Sequence, residues 1–241
     1  HNEPQCRLTF PLSSSLIVPE VFPGDKLNLY GGALARTVKF KGVCEVAHLK
    51  GFKPNIKVLK EVGVKKGERF IVFRSPPYTS SYLLSYKSDN LAGILSMLKK
   101  ARVKVLLFPR SSLEEKIARR VFKDRVVVIG KAVDTLTLYF FSSLVISGGG
   151  TMCREAALLG VPSISFFPGE PPAVNRLLEK KGLLVHAKSP IEVKEWVSFF
   201  LSLSRGELAE RRAKASEFIS KCEDPSSVVV KEVCKYAEKY E

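Results

Sequence analysis

The residues best placed to do chemistry lie within 142–165 (SSLVISGGGTMCREAALLGVPSIS). A short apolar run at 144–146 ends on Ser147, and Gly148, Gly149 and Gly150 follow. Thr151 stands where the N-cap of a helix is expected, and that helix runs to Gly160, a natural terminator. Residues without side chains let a large ligand approach the backbone. The first N–H groups of a helix lack intrahelical partners and carry the positive end of its dipole. Such a turn can hold a phosphate or diphosphate with no charged side chain. Glu155 lies about one turn further on. It cannot be the phosphate ligand, but its carboxylate can accept hydrogen bonds from two ribose hydroxyls. Diphosphate on the turn and ribose on the carboxylate together suggest a nucleotide. The competing reading is a tight turn that needs small residues, with Glu155 a solvated charge.

Those residues must be held by a scaffold, and the chain supplies a regular one. Short apolar runs at 69–73, 103–108, 126–129, 144–146, 163–167 and 183–185 alternate with helical stretches. Asp89 and Asp134 cap two of the helices, and Ser189-Pro190 starts another. Asn55 is placed to cap a helix over 56–62. This alternation predicts an α/β fold, a doubly wound parallel sheet with helices on both faces. Ligands in such sheets bind beyond the carboxyl ends of the strands, where the strand order reverses, and the glycine turn leaves one of those ends. Residues 1–50 differ. They hold two probable strands, at 15–18 and 37–43, a loop-like stretch at 21–35 and no convincing helix. They are too few to form a comparable core. Pro225 breaks the chain before a last amphipathic helix over 227–240.

Composition narrows the function classes. The 241 residues are 45% hydrophobic, enough for a real core, yet no apolar run approaches a membrane span. The five cysteines are scattered, with no CxxC pair, which favours free thiols in a reducing compartment. Three histidines make histidine-based metal sites and histidine catalysis poor expectations. The net charge of +15 suits an anionic partner, a nucleotide or a phospholipid surface. The basic residues are spread rather than gathered in an arm, so nucleic acid is not expected. The chain starts at His1 rather than methionine, and reads as processed or as a piece of something longer.

The segment SGGGTMCREAALLGVPSISFFPGE, with Asn175 and Lys181-Gly182-Leu183 after it, resembles the UDP-N-acetylglucosamine 2-epimerase and GT-B glycosyltransferase superfamily. The resemblance covers nearly the whole chain and is nearest to an uncharacterised, largely archaeal branch, a domain of unknown function. It implies a GT-B-like architecture, in which two Rossmann-like domains face each other across a cleft. One domain is complete here, at 51–222. Residues 1–50 are then the remnant of an N-terminal acceptor domain with its linker, and 223–241 a helix crossing back to that domain. The resemblance carries nucleotide binding to Ser147, Gly148, Gly149, Gly150, Thr151 and Met152, and ribose binding to Glu155. Arg74, in Phe73-Arg74-Ser75-Pro76-Pro77, sits where the epimerases have a His-Arg-Arg loop, but no histidine is present. Arg74 is the candidate cation for a departing diphosphate, and Ser75 could add a hydroxyl; a surface arginine beside a loop is the alternative. The base is expected near Gly130 and Val133, although Val133 also reads as a core valine. Gly169 and Glu170, with Asn175 behind them, are candidates for the sugar hydroxyls. His1-Asn2-Glu3 resembles the HxE segment of the epimerases, which makes Glu3 the one candidate catalytic carboxylate.

The function expected is a glycosyltransferase using a UDP-sugar, with no metal and no cofactor beyond that substrate. The acceptor would be a lipid-linked sugar or polysaccharide at the cytoplasmic face of a membrane, touched peripherally, with a homodimer left open. The alternatives are a UDP-N-acetylhexosamine 2-epimerase, or a nucleotide-sugar-binding module without turnover.

Overall fold

The computed structural model describes residues 3–65, 67–76, 90–101 and 103–238. The first part of the chain runs α1 (Glu3–Thr9), β1 (Ser15–Pro19), α2 (Gly24–Leu29), β2 (Arg36–Phe40) and α3 (Val46–Leu49). The second part begins α4 (Lys57–Glu61), β3 (Phe70–Arg74), α5 (Asn90–Lys100), β4 (Lys104–Leu107), α6 (Ser112–Phe122), β5 (Val126–Val128) and α7 (Thr135–Phe141). It continues β6 (Leu144–Ser147), α8 (Gly150–Leu158), β7 (Ser163–Ser165), α9 (Ala173–Lys180), β8 (Val185–His186), α10 (Pro190–Ser202), α11 (Arg205–Ser220) and α12 (Pro225–Ala237).

Strands β3 to β8 form one parallel sheet in the order β5-β4-β3-β6-β7-β8. The alternation of side chains along each strand explains why both faces are covered. Ile71, Phe73, Val105, Leu107 and Ile146 point to one face, where they pack with Leu98 of α5, Phe122 of α6 and Val197 of α10. Phe70, Val72, Leu106 and Val145 point to the other and meet Val58 of α4, Leu138 of α7 and Ala156 of α8. Burial on both faces makes near-continuous apolar strands the stable solution, and Phe70, Ile71, Val72 and Phe73 are each at most 1% exposed. The order reverses between β3 and β6, which lie side by side with Arg74 opposite Ser147. The glycine turn therefore leaves the sheet at its switch point.

The helix starts read from the sequence hold at two places. Asp134 accepts from the Thr137 N–H at 3.1 Å, and Ser189 accepts from the Glu192 N–H at 3.2 Å. Asn55 accepts from the Lys57 N–H, but the residue flanking α4 is Ile56. Asp89 lies outside the described residues. The last helix starts at Pro225, two residues earlier than expected, because Asp224 accepts from the Ser226 N–H and proline suits the first helical position.

Residues 1–50 depart from expectation. Their two strands form a separate parallel pair, Ser15 opposite Arg36, and they also carry three short α-helices and two 3-10 turns where no helix was expected. None of α1, α2 and α3 exceeds seven residues. Neither α2 nor α3 has a side-chain cap, so local sequence gives little sign of them. Helix α12 returns to this small sheet. The Tyr236 hydroxyl donates to the Ser14 carbonyl at 3.2 Å, and the buried Glu232 pairs with Arg36 at 2.8 Å. No described helix is long and apolar enough to cross a membrane.

Candidate nucleotide site

The site starts where β6 stops. The Ser147 hydroxyl accepts from the Gly149 N–H at 3.0 Å, folding the chain back at the strand end. Gly149 is extended, with φ −110° and ψ 156°, and is the residue flanking α8. Thr151 thus lies inside the first turn and is not its cap, a correction to the sequence reading. The serine two residues before Gly149 already fixes the turn.

The three glycines answer to different neighbours. A Cβ on Gly148 would lie 2.2 Å from Pro76 Cγ and 2.4 Å from Pro76 N, where the chain leaving β3 passes. A Cβ on Gly150 would lie 2.1 Å from the Arg154 Nη1. Gly149 is the more open, its nearest atom the Arg110 Nη2 at 3.4 Å. Packing alone accounts for Gly148; an arginine folded over the helix terminus accounts for Gly150.

Cations gather around this turn. Arg74 accepts the Gly148 N–H on its carbonyl at 2.9 Å, and its guanidinium approaches the Met152 Sδ at 3.9 Å. Among the described residues, the Arg74 Nε is a buried nitrogen without a hydrogen-bond partner. Arg154 is held by Glu45 at 2.6 Å and by the Asn175 Oδ1 at 3.0 Å. Arg110 was not singled out by sequence. Its Nε donates to the Ser75 carbonyl at 2.7 Å, which brings its guanidinium beside Gly149. Only the strand order, which sets the end of β4 beside that of β3, reveals it.

Ser75 is fully buried and donates its hydroxyl to Glu114 Oε1 at 2.6 Å. That hydroxyl is committed to α6 and is not offered to a phosphate, again unlike the sequence reading. Glu155 is nearly buried and meets the Nδ1 of His48 at 2.6 Å. Burial pushes its carboxyl up from the ordinary value, and hydrogen bonding from His48 partly offsets this.

A cleft of about 610 Å³ separates the glycine turn from the small sheet. Gly148, Gly149, Gly150 and Thr151 line one side, Ile17 and Phe22 the other. Asn175 also reaches it and is 1% exposed, with its Nδ2 3.5 Å from the Ser165 hydroxyl. Glu170 stands at an exposed position, bridged to Arg176 at 2.6 Å and to Lys26 of α2 at 3.7 Å. These partners, Arg176 first, hold its carboxyl below the usual range. Gly169 and Glu170 are not among the described lining residues of the cleft. Gly130 and Val133 line a different cavity of about 490 Å³ beside α4, and Val133 packs on the core around Ile129 and Met152. Glu3 opens α1 on an exposed face, pairs with Arg7 at 2.9 Å and does not line the cleft. His1 and Asn2 lie outside the described residues.

The sequence profile of a family described as protein of unknown function (DUF354) matches residues 1–238. The chain belongs to the DUF354 family. An uncharacterised protein of Methanocaldococcus jannaschii is 32% identical over 242 residues. That match takes in 98% of the DUF354 chain but 65% of the archaeal protein, so the chain spans just under two thirds of this relative. Among solved structures, the S. aureus MnaA–UDP complex is similar with a TM-score of 0.63 and 13% identity, over 89% of this chain and 58% of that one. A glycosyltransferase from Rickettsia africae gives 0.59 and 16%, over 88% and 59%. The UDP-GlcNAc 2-epimerase of Neisseria meningitidis, solved with UDP-GlcNAc, gives 0.56 and 16%, over 95% and 63%. At such identities the likeness is one of fold. The DUF354 chain has the GT-B-like α/β architecture, with one complete Rossmann-like, doubly wound sheet and part of a second.

Proposed function

We propose that the DUF354 chain is the donor-binding part of a glycosyltransferase that takes a sugar from a UDP-sugar. In this reading residues 51–222 bind the nucleotide, residues 1–50 belong to the acceptor domain, and 223–241 tie the two together. One observation carries it: the glycine turn at the start of α8 sits at the switch point of the sheet, beside an arginine whose buried Nε has no partner among the described residues. Sugar transfer breaks the bond between the anomeric carbon and the diphosphate oxygen. The electron pair leaves with UDP, and the acceptor hydroxyl bonds to the carbon as its proton passes to a base. The departing charge needs donors fixed in advance. The amides of Gly150, Thr151 and Met152 and the guanidinium of Arg74 supply them, while Glu155 takes the ribose hydroxyls. The base belongs to the acceptor domain, where Glu3, the candidate carboxylate, is paired with Arg7 and does not line the cleft.

One of the similar structures, the Neisseria UDP-GlcNAc 2-epimerase, favours a second reading as a UDP-N-acetylhexosamine 2-epimerase. That chemistry removes and returns a proton at the carbon bearing the acetamido group. Incubation with UDP-N-acetylglucosamine separates the readings. Acceptor-dependent UDP release is the result expected for a transferase. Epimer formed without acceptor would establish the second reading, and neither product despite binding would leave a nucleotide-sugar module without turnover.

A further inference from the structure

Two adjacent residues of α8 are gripped by one turn of the short helix α3 that joins the two sheets. Glu45, flanking that helix, binds Arg154, and His48, three residues on, binds Glu155, both at 2.6 Å. The acceptor and donor ends alternate, so each linker side chain has only one suitable partner on α8. The two pairs differ in exposure. Arg154 and Glu45 are 16% and 6% exposed, a structural ion pair. Glu155 is 11% exposed, but His48 is 52% exposed and so is not held in place by packing.

A carboxylate only accepts hydrogen bonds, so the His48 Nδ1 carries the proton and donates it to Oε1. This ties one oxygen of the Glu155 carboxylate to α3 and restricts its rotation. Among the described residues no other donor reaches this carboxylate, which leaves Oε2 and the remaining lone pair of Oε1 open. A vicinal diol needs two acceptor sites in a fixed plane, and a glutamate free to rotate would lose part of that geometry to rotamer entropy.

We propose that His48 is the positioning residue for ribose recognition, holding the Glu155 carboxylate so that it can receive both ribose hydroxyls of a uridine nucleotide. This rests on the ribose role of Glu155 in the proposed function. Linker helix α3 thereby takes part in the nucleotide site without touching the nucleotide.

The test compares UDP with 2′,3′-dideoxyuridine diphosphate, which lacks both hydroxyls, by calorimetry on the whole chain. The wild-type protein binds UDP more tightly. In His48→Leu the UDP affinity falls about tenfold and the dideoxy affinity stays, so the preference shrinks. His48→Asn, which returns an N–H near the Nδ1 position, restores most of it. An unchanged preference in His48→Leu would overturn the positioning role while leaving the ribose role of Glu155 intact. An equal loss for both nucleotides would overturn it too, showing that His48 supports the fold or the phosphate site instead. A wild-type protein that does not distinguish the two nucleotides would overturn the ribose role of Glu155 and the positioning role with it.

Discussion

At the scale of single residues, glycine is required here for reasons the sequence does not separate. Gly148 and Gly150 look alike in the string SGGGT, yet one faces backbone and the other a side chain. Gly148→Ala would drive a methyl into Pro76, whose ring and backbone cannot both retreat, and destabilises the fold by about 1–3 kcal/mol. Gly150→Ala meets only the flexible end of Arg154, which can give way without a backbone shift. Urea denaturation of both variants checks this, with the larger loss expected for Gly148→Ala; the reverse order would contradict the packing described. Glu155 was legible from sequence as the acidic neighbour of the turn. Its partner His48 was not, because the two are 107 positions apart and meet only through the fold. Arg110 was hidden for the same reason.

At the scale of elements, the strands were readable and the short helices were not. Strands β3 to β6 are brief, largely apolar runs, as burial on both faces favours, whereas β7 buries Ser163 and Ser165 and is apolar only at Ile164. Helices of four to seven residues have no room for a periodic apolar stripe. Helix α12 shows how caps move a boundary. Asp224 caps it and binds Lys50 at 2.6 Å, and Lys50 follows directly on α3. Lys50 foremost, then Ser227, holds the Asp224 carboxyl down to about 2, from an ordinary 3.8. A carboxyl lowered by folding stabilises the folded state above its unfolded value, and this is lost as pH falls through the folded one. Stability should therefore drop between about 3.8 and about 2 through this group. Asp224→Asn keeps a good cap but loses the ionisable partner of Lys50, so its stability falls less steeply over that range. Denaturation curves with the same acid slope in both proteins would show that Asp224 does not couple α12 to the linker.

At the scale of the whole molecule, the chain is a complete parallel sheet joined to a two-stranded fragment by α3 and α12. The imbalance was visible in the sequence as two strands set against six. Its geometry was not, since the cleft between glycine turn and small sheet depends on how the linker packs on α8. The candidate base site at Gly130 and Val133 lies in its own cavity beside α4, and Met152 belongs to the core packed behind it. A nucleotide whose diphosphate lies on the turn and whose base reaches that cavity would follow the carboxyl edge of the sheet from β6 towards β5.

The most direct measurement is a titration with UDP followed at each backbone amide by nuclear magnetic resonance. The largest shifts are expected at the N–H groups of Gly149, Gly150, Thr151 and Met152, with smaller ones at His48 and Gly130. Shifts confined to the cavity lined by Leu49, Phe52 and Phe140, or no shifts at saturating UDP, would contradict it.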